Sequence, residues 1–275
     1  MTPARARRLK STIVDHLSLA GTLHRIARFR SRFLGTARDV LVYLPPGYSE
    51  SQRYPTLYLQ DGQNLFDPDT AFAGVHWRVG ENLDSMIASR QIDPMIVVGI
   101  ANTGPLRIHE YTPTMDRNHR AGGGASLLGQ MIVNELKPRI DETFSTDPDR
   151  RATGIGGSSL GALLSLYVGL EWSDHFGLIL AMSPSVWWDR RSILRRIRSL
   201  PEKPSTRLWV DTGTSEATGQ LPDVRRLDHV LRSKGWSDRD LRLHVEEGAG
   251  HYEAAWGARL PAAIEFLYGG ESDIP

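Results

Sequence analysis

The chain of 275 residues has no cysteine, which excludes disulfides, thiolate metal sites and a cysteine nucleophile. It has no excess of either charge: 33 Lys and Arg stand against 32 Asp and Glu, so no global field draws nucleic acid or an anionic membrane. Long apolar runs are missing too. The start, MTPARARRLKST, is basic but lacks the apolar stretch that a signal peptide or membrane span requires. A soluble, cytoplasmic protein with no nucleic-acid or membrane partner is expected. No repeat or low-complexity stretch divides the chain, so residues 21–270 are expected to form one domain, with 1–20 an N-terminal tail or extension and 271–275 a C-terminal tail. HExxH, paired histidines at ligand spacing and carboxylate clusters are all missing, which predicts no catalytic metal and no cofactor.

What is present is an alternation. With 40% hydrophobic content, the chain can bury a sizeable core. TLHRIARFRS, ARDVLVYLPPGYSE and YPTLYLQDGQN show period-two apolar patterns bounded by turn residues, and read as strands. PMIVVGIAN is continuously apolar, as a strand covered on both faces requires. Behind Ser126 as a cap, Leu127, Leu128, Met131, Ile132 and Leu136 recur at helical spacing. Further strands are expected at RATGIGG, FGLILAMS, TRLWVDTG and LRLHVEEG. Helices are expected over Leu160 to Leu170, Ile193 to Leu200, Val224 to Ser233 and Ala254 to Leu267. Strands alternating with helices imply an α/β fold with a mostly parallel central sheet, helices on both faces and antiparallel strands at its beginning. Ligands of such sheets sit beyond the carboxyl ends of the strands. The run DRRSILRRIRSLPEK, with five arginines from Arg190 to Arg198, reads as a solvated helix face around Ile193, Leu194 and Ile197.

GIGGSSLGALLS, from Gly154 to Ser165, follows an expected strand and opens an expected helix. Gly157, Ser159 and Gly161 fit G-x-S-x-G, in which a nucleophile stands on a tight strand-to-helix turn too crowded for flanking side chains. Ser158 has Leu160 at the matching downstream position, so Ser159 is the candidate nucleophile. Chance alone yields such a match about 0.1 times in a chain of this length; the strand-to-helix context adds to it. The bland alternative is a glycine-rich loop that packs closely or cradles a phosphate. A dinucleotide fingerprint fails at Ser159, where its third glycine belongs, and no P-loop lysine follows.

A serine hydroxyl needs a base, and on this fold the expected order is nucleophile, acid, histidine. Of the nine histidines, four follow Ser159. His244 alternates with Leu241, Leu243 and Val245 as a strand side chain, His229 lies in a helical pattern, and His175 lies in a turn. His251, in the glycine-bounded loop EEGAGHYEAAW, is the candidate base. For the acid, Asp211, Glu216 and Asp223 compete. Glu216 is preferred for its place among turn residues, with Asp223 second; a solvated loop acid or helix cap is the bland reading of each. Oxyanion donors are expected from the Leu160 amide and from the Gln63 amide beside Gly62, in a segment that otherwise reads as a simple β-turn. Pocket walls are expected from Trp77, Trp187 and Trp188, with core packing as the alternative. Asn102 to Gly124 holds too many turn residues for regular structure; Arg107, His109 and Tyr111 are its candidates for contacting substrate.

The motifs YPTLYLQDGQNLFD, GIGGSSLGALLSLYVGL, FGLILAMSPSVWWD, DTGTSE and GAGHYEAAW, in this order from about Arg38 to Tyr268, resemble the Putative esterase family of α/β hydrolases. That family includes S-formylglutathione hydrolase, siderophore esterases, feruloyl and acetyl xylan esterases and the antigen 85 mycolyltransferases. The resemblance implies Ser159 as nucleophile, His251 as base, Glu216 as acid, and the Gln63 and Leu160 amides as oxyanion donors. Many relatives carry Asp where this chain has Glu216, and some siderophore esterases work without the acid. The expected activity is cleavage of a small-molecule carboxylic ester through an acyl-enzyme. An acyltransferase on the same fold and an inactive carbohydrate- or protein-binding module are the alternatives.

Overall fold

The computed structural model describes residues 9–269. Its strands are β1 (Thr12–Val14), β2 (Thr22–Arg30), β3 (Ala37–Leu44), β4 (Thr56–Gln60), β5 (Ile96–Ile100), β6 (Met115–Asp116), β7 (Ala121–Gly122), β8 (Thr153–Ser158), β9 (Leu178–Met182), β10 (Arg207–Gly213) and β11 (Leu241–Glu246). The helices are α1 (Val79–Ala88), α2 (Arg107–Tyr111), α3 (Ala125–Met131), α4 (Lys137–Thr143), α5 (Leu160–Glu171), α6 (Trp188–Ser199), α7 (Gln220–Ser233) and α8 (Glu253–Tyr268). One nine-stranded sheet runs in the order β1-β2-β3-β5-β4-β8-β9-β10-β11. β1, β2, β3 and β5 pair antiparallel in succession, and every pairing from β5 through β11 is parallel. This is the mostly parallel α/β hydrolase sheet with antiparallel strands at its start.

The strands that read as continuously apolar are covered on both faces, and their side chains separate with period two. Ile96, Val98 and Ile100 join one core cluster with Tyr58, Ile155 and Ile179, whereas Val97 joins the other with Leu57, Leu59 and Leu180. α3 to α7 cover the first face; α1 and α8 cover the second. α5 is buried from Leu160 through Leu170, as a helix that is apolar all round must be. The chain leaves β4 toward β5 on one side and later returns to β8 on the other, so the ends of β4 and β8 flank the crevice where open sheets take ligands.

Three sequence expectations change. Ser126 is not a cap: Gly124 precedes the helix, and the Ser126 hydroxyl accepts instead from Gln130 Nε2 at 3.4 Å. The expected helix is interrupted by a π turn at Ile132–Leu136, and Leu127 is exposed while Leu128, Met131, Ile132 and Leu136 are buried. The segment Asn102 to Gly124 holds α2 and the β6–β7 hairpin rather than irregular loop throughout. In the arginine-rich α6, Ile193, Leu194 and Ile197 face the core, while Arg191 pairs with Asp223 and Arg196 with Glu171. Within residues 1–20, expected as an N-terminal tail or extension, β1 pairs with β2 and Leu9 is buried. Residues 1–8 and the expected tail 271–275 lie outside the described residues. Among the described residues no helix is long and apolar enough to cross a membrane.

Candidate active site

β8 ends at Ser158 and α5 begins at Leu160, leaving Ser159 alone on the turn at φ 57 and ψ −121. A non-glycine residue pays about 1–3 kcal/mol for such a backbone, which persists only where its surroundings enforce it. They do so here: Ser159 N donates to Met182 O, and Ser159 O accepts from the amides of Leu163 and Ser185. A Cβ on Gly157 would lie 2.9 Å from the backbone carbon of Gly161, and one on Gly161 would lie 3.1 Å from Gln60 Cβ. The crowding that the spacing implies is therefore real.

The turn aims Ser159 Oγ at His251 Nε2, 3.0 Å away. His251 lies in the loop between β11 and α8, with its ring edge-on to Trp256 at 4.9 Å between centroids. Its Nδ1 is 2.7 Å from Glu216 Oε2. The carboxylate fixes the proton on Nδ1 and leaves Nε2 free to accept from the serine. Glu216 follows β10; its Oε1 accepts from the Gly213 amide at 2.7 Å and from Ser183 Oγ at 2.6 Å. Ser183 in turn accepts from Trp256 Nε1 and Arg259 Nη2. Arg259 also donates to Asp211 Oδ1 at 3.0 Å, and Trp209 Nε1 donates to Asp211 Oδ2 at 2.9 Å. Burial pushes the Glu216 carboxyl upward, but the hydrogen bonds from His251, Ser183 and Gly213 together outweigh it and hold the group below its usual range.

The other wall of the crevice is the loop after β4. Asp61 sits at φ 57 and opens a short 3₁₀ turn, Gly62–Asn64. Its buried carboxylate receives a two-pronged bond from Arg107 at 2.8 and 2.7 Å and a third donor from Asn102 Nδ2, while its amide donates to the Tyr111 hydroxyl. Arg107 also stacks over the Tyr111 ring at 4.9 Å. So clamped, the turn presents the Gln63 amide. Among the described residues neither that amide nor that of Leu160 has a hydrogen-bond acceptor. A cleft of about 360 Å³ opens between the two walls, lined by Gln63, Asn64, Phe72, Arg107, Glu253 and Trp256 around Ser159 and His251.

The remaining candidates lie elsewhere. Trp77 and Trp188 are 1% exposed and Tyr111 is fully buried, so these three belong to the core and not to the cleft wall. Trp77 packs on Trp256, and Trp188 Nε1 donates to Thr114 O; a large apolar ring gains more from burial than from a rim position. Trp187 is 44% exposed beside His119, outside the cleft lining. His109 donates to Gly122 O and braces the β6–β7 hairpin. Asp223 pairs with Arg191 and Arg226, away from His251. Sequence reasoning missed Ser183, Trp256, Arg259, Asn64 and Glu253, and took Asp211 only as a rival acid. The spacing of Trp256 and Arg259 in α8 was the one available signal, since positions three apart share a helix face. Among the described residues no group of His, Asp or Glu is arranged to hold a metal ion.

The Putative esterase family model matches residues 31–267, and the chain belongs to that family. It is thus an esterase with the α/β hydrolase fold. The uncharacterized protein YbbA of Bacillus subtilis is 29% identical over 84% of this chain and 93% of its own length. The iron(III) salmochelin esterase of Escherichia coli is 33% identical over 81% of this chain, which spans about half (52%) of that longer protein. The crystal structure of the BES protein from Bacillus cereus superimposes with a TM-score of 0.73 at 20% identity, covering 96% of this chain and 99% of that one.

Proposed function

We propose that the protein is a serine carboxylic-ester hydrolase that works through an acyl-enzyme on a small-molecule ester. The observation that carries this is the continuous contact from Ser159 Oγ to His251 Nε2 at 3.0 Å and from His251 Nδ1 to Glu216 Oε2 at 2.7 Å, at the floor of an open cleft. Ser159 Oγ attacks the ester carbonyl while its proton passes to His251 Nε2, and Glu216 steadies the imidazolium. The amides of Gln63 and Leu160 receive the oxyanion; losing one such donor costs about 3 kcal/mol of transition-state stabilisation. His251 then protonates the leaving alcohol, and the acyl group stays on Ser159. Water, deprotonated by the same imidazole, attacks the acyl-enzyme and releases the acid. The salmochelin esterase relative makes a siderophore ester one substrate to try, beside feruloyl, acetyl-sugar and short-chain esters.

A fluorophosphonate should label Ser159 in the folded protein, and Ser159→Ala should lower ester turnover about 10⁴- to 10⁶-fold without loss of fold. Turnover surviving in Ser159→Ala, or a label on another residue, refutes the reading.

A further inference from the structure

Besides Asp61, which is clamped by Arg107 and holds the Gln63 turn, the cleft is lined by a carboxylate that the proposed chemistry does not use. Glu253 is the first residue of α8, two positions after His251, and lines the cleft beside Ser159. Its Oε1 accepts from Asn64 Nδ2 at 3.2 Å, and Asn64 is fixed in turn because its Oδ1 accepts from the Phe72 amide at 3.0 Å. The carboxylate also accepts from its own backbone amide at the start of α8, and among the described residues no Lys, Arg or His forms an ion pair with it. The nearby cations are paired with other carboxylates. Both guanidiniums near the site are already committed, Arg107 to Asp61 and Arg259 to Asp211. Glu216 is spent on His251. Among the described residues Glu253 is therefore the cleft carboxylate without an ion-pair partner.

Its position also fixes which part of a substrate meets it. The leaving oxygen must come within reach of His251 Nε2 to be protonated, so the alcohol portion of an ester lies along the loop that carries His251 and runs directly into Glu253. We propose that Glu253, oriented by Asn64, is a specificity-determining residue that recognises a cationic or hydrogen-bond-donating group on the alcohol portion of the ester and repels an anionic one. This rests on the esterase reading above, and the test separates the two.

Burial first, and the nearby Asp61 carboxylate with it, push the Glu253 carboxyl above the usual glutamate range, against the opposing pull of its own backbone amide and of the His251 and Arg107 charges that face it. Charge selectivity should therefore fade as the pH drops toward that raised range, earlier than an ordinary glutamate would lose it.

The experiment compares kcat/KM for esters that share one acyl group the enzyme turns over and differ in the alcohol: choline, its uncharged isostere 3,3-dimethylbutanol, and 3-hydroxypropanesulfonate. The wild-type protein should favour the choline ester over the isostere by roughly tenfold, as one unlike-charge contact in a half-screened cleft provides, and disfavour the sulfonate. Glu253→Gln keeps an oxygen for Asn64 and removes the charge, so both ratios should move toward one and lose their pH dependence. If this variant fails to fold, the pH dependence of the wild-type choline-to-isostere ratio decides the matter alone. Ratios near one in the wild type, or ratios that Glu253→Gln and pH leave unmoved, overturn the inference about Glu253. If no ester of any alcohol is hydrolysed, it is the esterase mechanism that falls.

Discussion

The hydroxyl of Ser183 has one proton and three polar neighbours, and the neighbours decide where the proton goes. Trp256 Nε1 at 3.0 Å and Arg259 Nη2 at 3.1 Å have only protons to give, so Ser183 must accept both and donate to Glu216 Oε1 at 2.6 Å. The residue is held at φ 45, a further sign that this backbone is fixed around the contact. Ser183→Ala would leave two buried donors unmatched and take one donor from the carboxylate. Loss of a hydrogen bond to a charged group is worth about 1.5–3 kcal/mol, so kcat should fall roughly 10- to 100-fold with KM little changed. Glu216 is held below its usual range partly by that donor, so the acid limb of the pH–rate profile should move to higher pH. A pH–rate profile that keeps its acid limb in place would make Ser183 a packing residue only.

At the scale of elements, the site depends on how β8 enters α5. Gly157 passes so close to Gly161 that an added Cβ at 2.9 Å from backbone must push the turn open. Gly157→Ala should cost about 1–3 kcal/mol of stability, read by urea unfolding, and should lower turnover by more than its stability loss explains, because the shift falls on Ser159. This turn was legible in the sequence because its cause is local: three small residues at fixed spacing between a strand and a helix. The strands were legible for the same reason, since period-two burial leaves its mark on each segment separately. What stayed hidden is contact between distant segments. Ser183 follows β9, Asp211 lies in β10 and Arg259 in α8, and nothing local in those stretches says that they meet beneath Glu216. The choice among Asp211, Glu216 and Asp223 was open because all three lie near the end of one strand or the start of the next helix. Tertiary placement separates them: Asp211 meets Arg259, Asp223 meets Arg191 and Arg226, and Glu216 meets His251. The tryptophans show the limit from the other side, since Trp77 and Trp187 read alike as rings near turns and differ only in what covers them.

For the whole molecule, the carboxylates pull the pH dependence of stability in opposite directions. Asp149 is held down at about 2 by the Arg151 side chain and amide, and Glu216 is held down by its three donors after burial is overcome. A carboxyl whose folded pKa is depressed adds stability above its unfolded value, near 4 for Asp and Glu, and loses it as pH falls through the folded value. These two groups therefore favour neutral over acid conditions. Glu253 does the reverse: burial raises its folded pKa, so its charge is a cost that is present in full above that raised value and vanishes below the unfolded one. Removing the charge should stabilise the fold at neutral pH. Glu253→Gln is expected to unfold at a higher denaturant midpoint than the wild type at pH 7, with the gap narrowing as pH is lowered and closing below about pH 4, where the glutamate is neutral in both the folded and the unfolded chain. Glu216→Gln should show the opposite sign, less stable than the wild type at pH 7 and converging with it only at lower pH. Denaturant titrations of the three proteins from pH 7 down to about pH 2 read both effects. A Glu253→Gln midpoint equal to or below that of the wild type at pH 7 would mean that the cleft tolerates this charge at no cost. The carboxylate would then sit in water, and not against the wall that receives the alcohol.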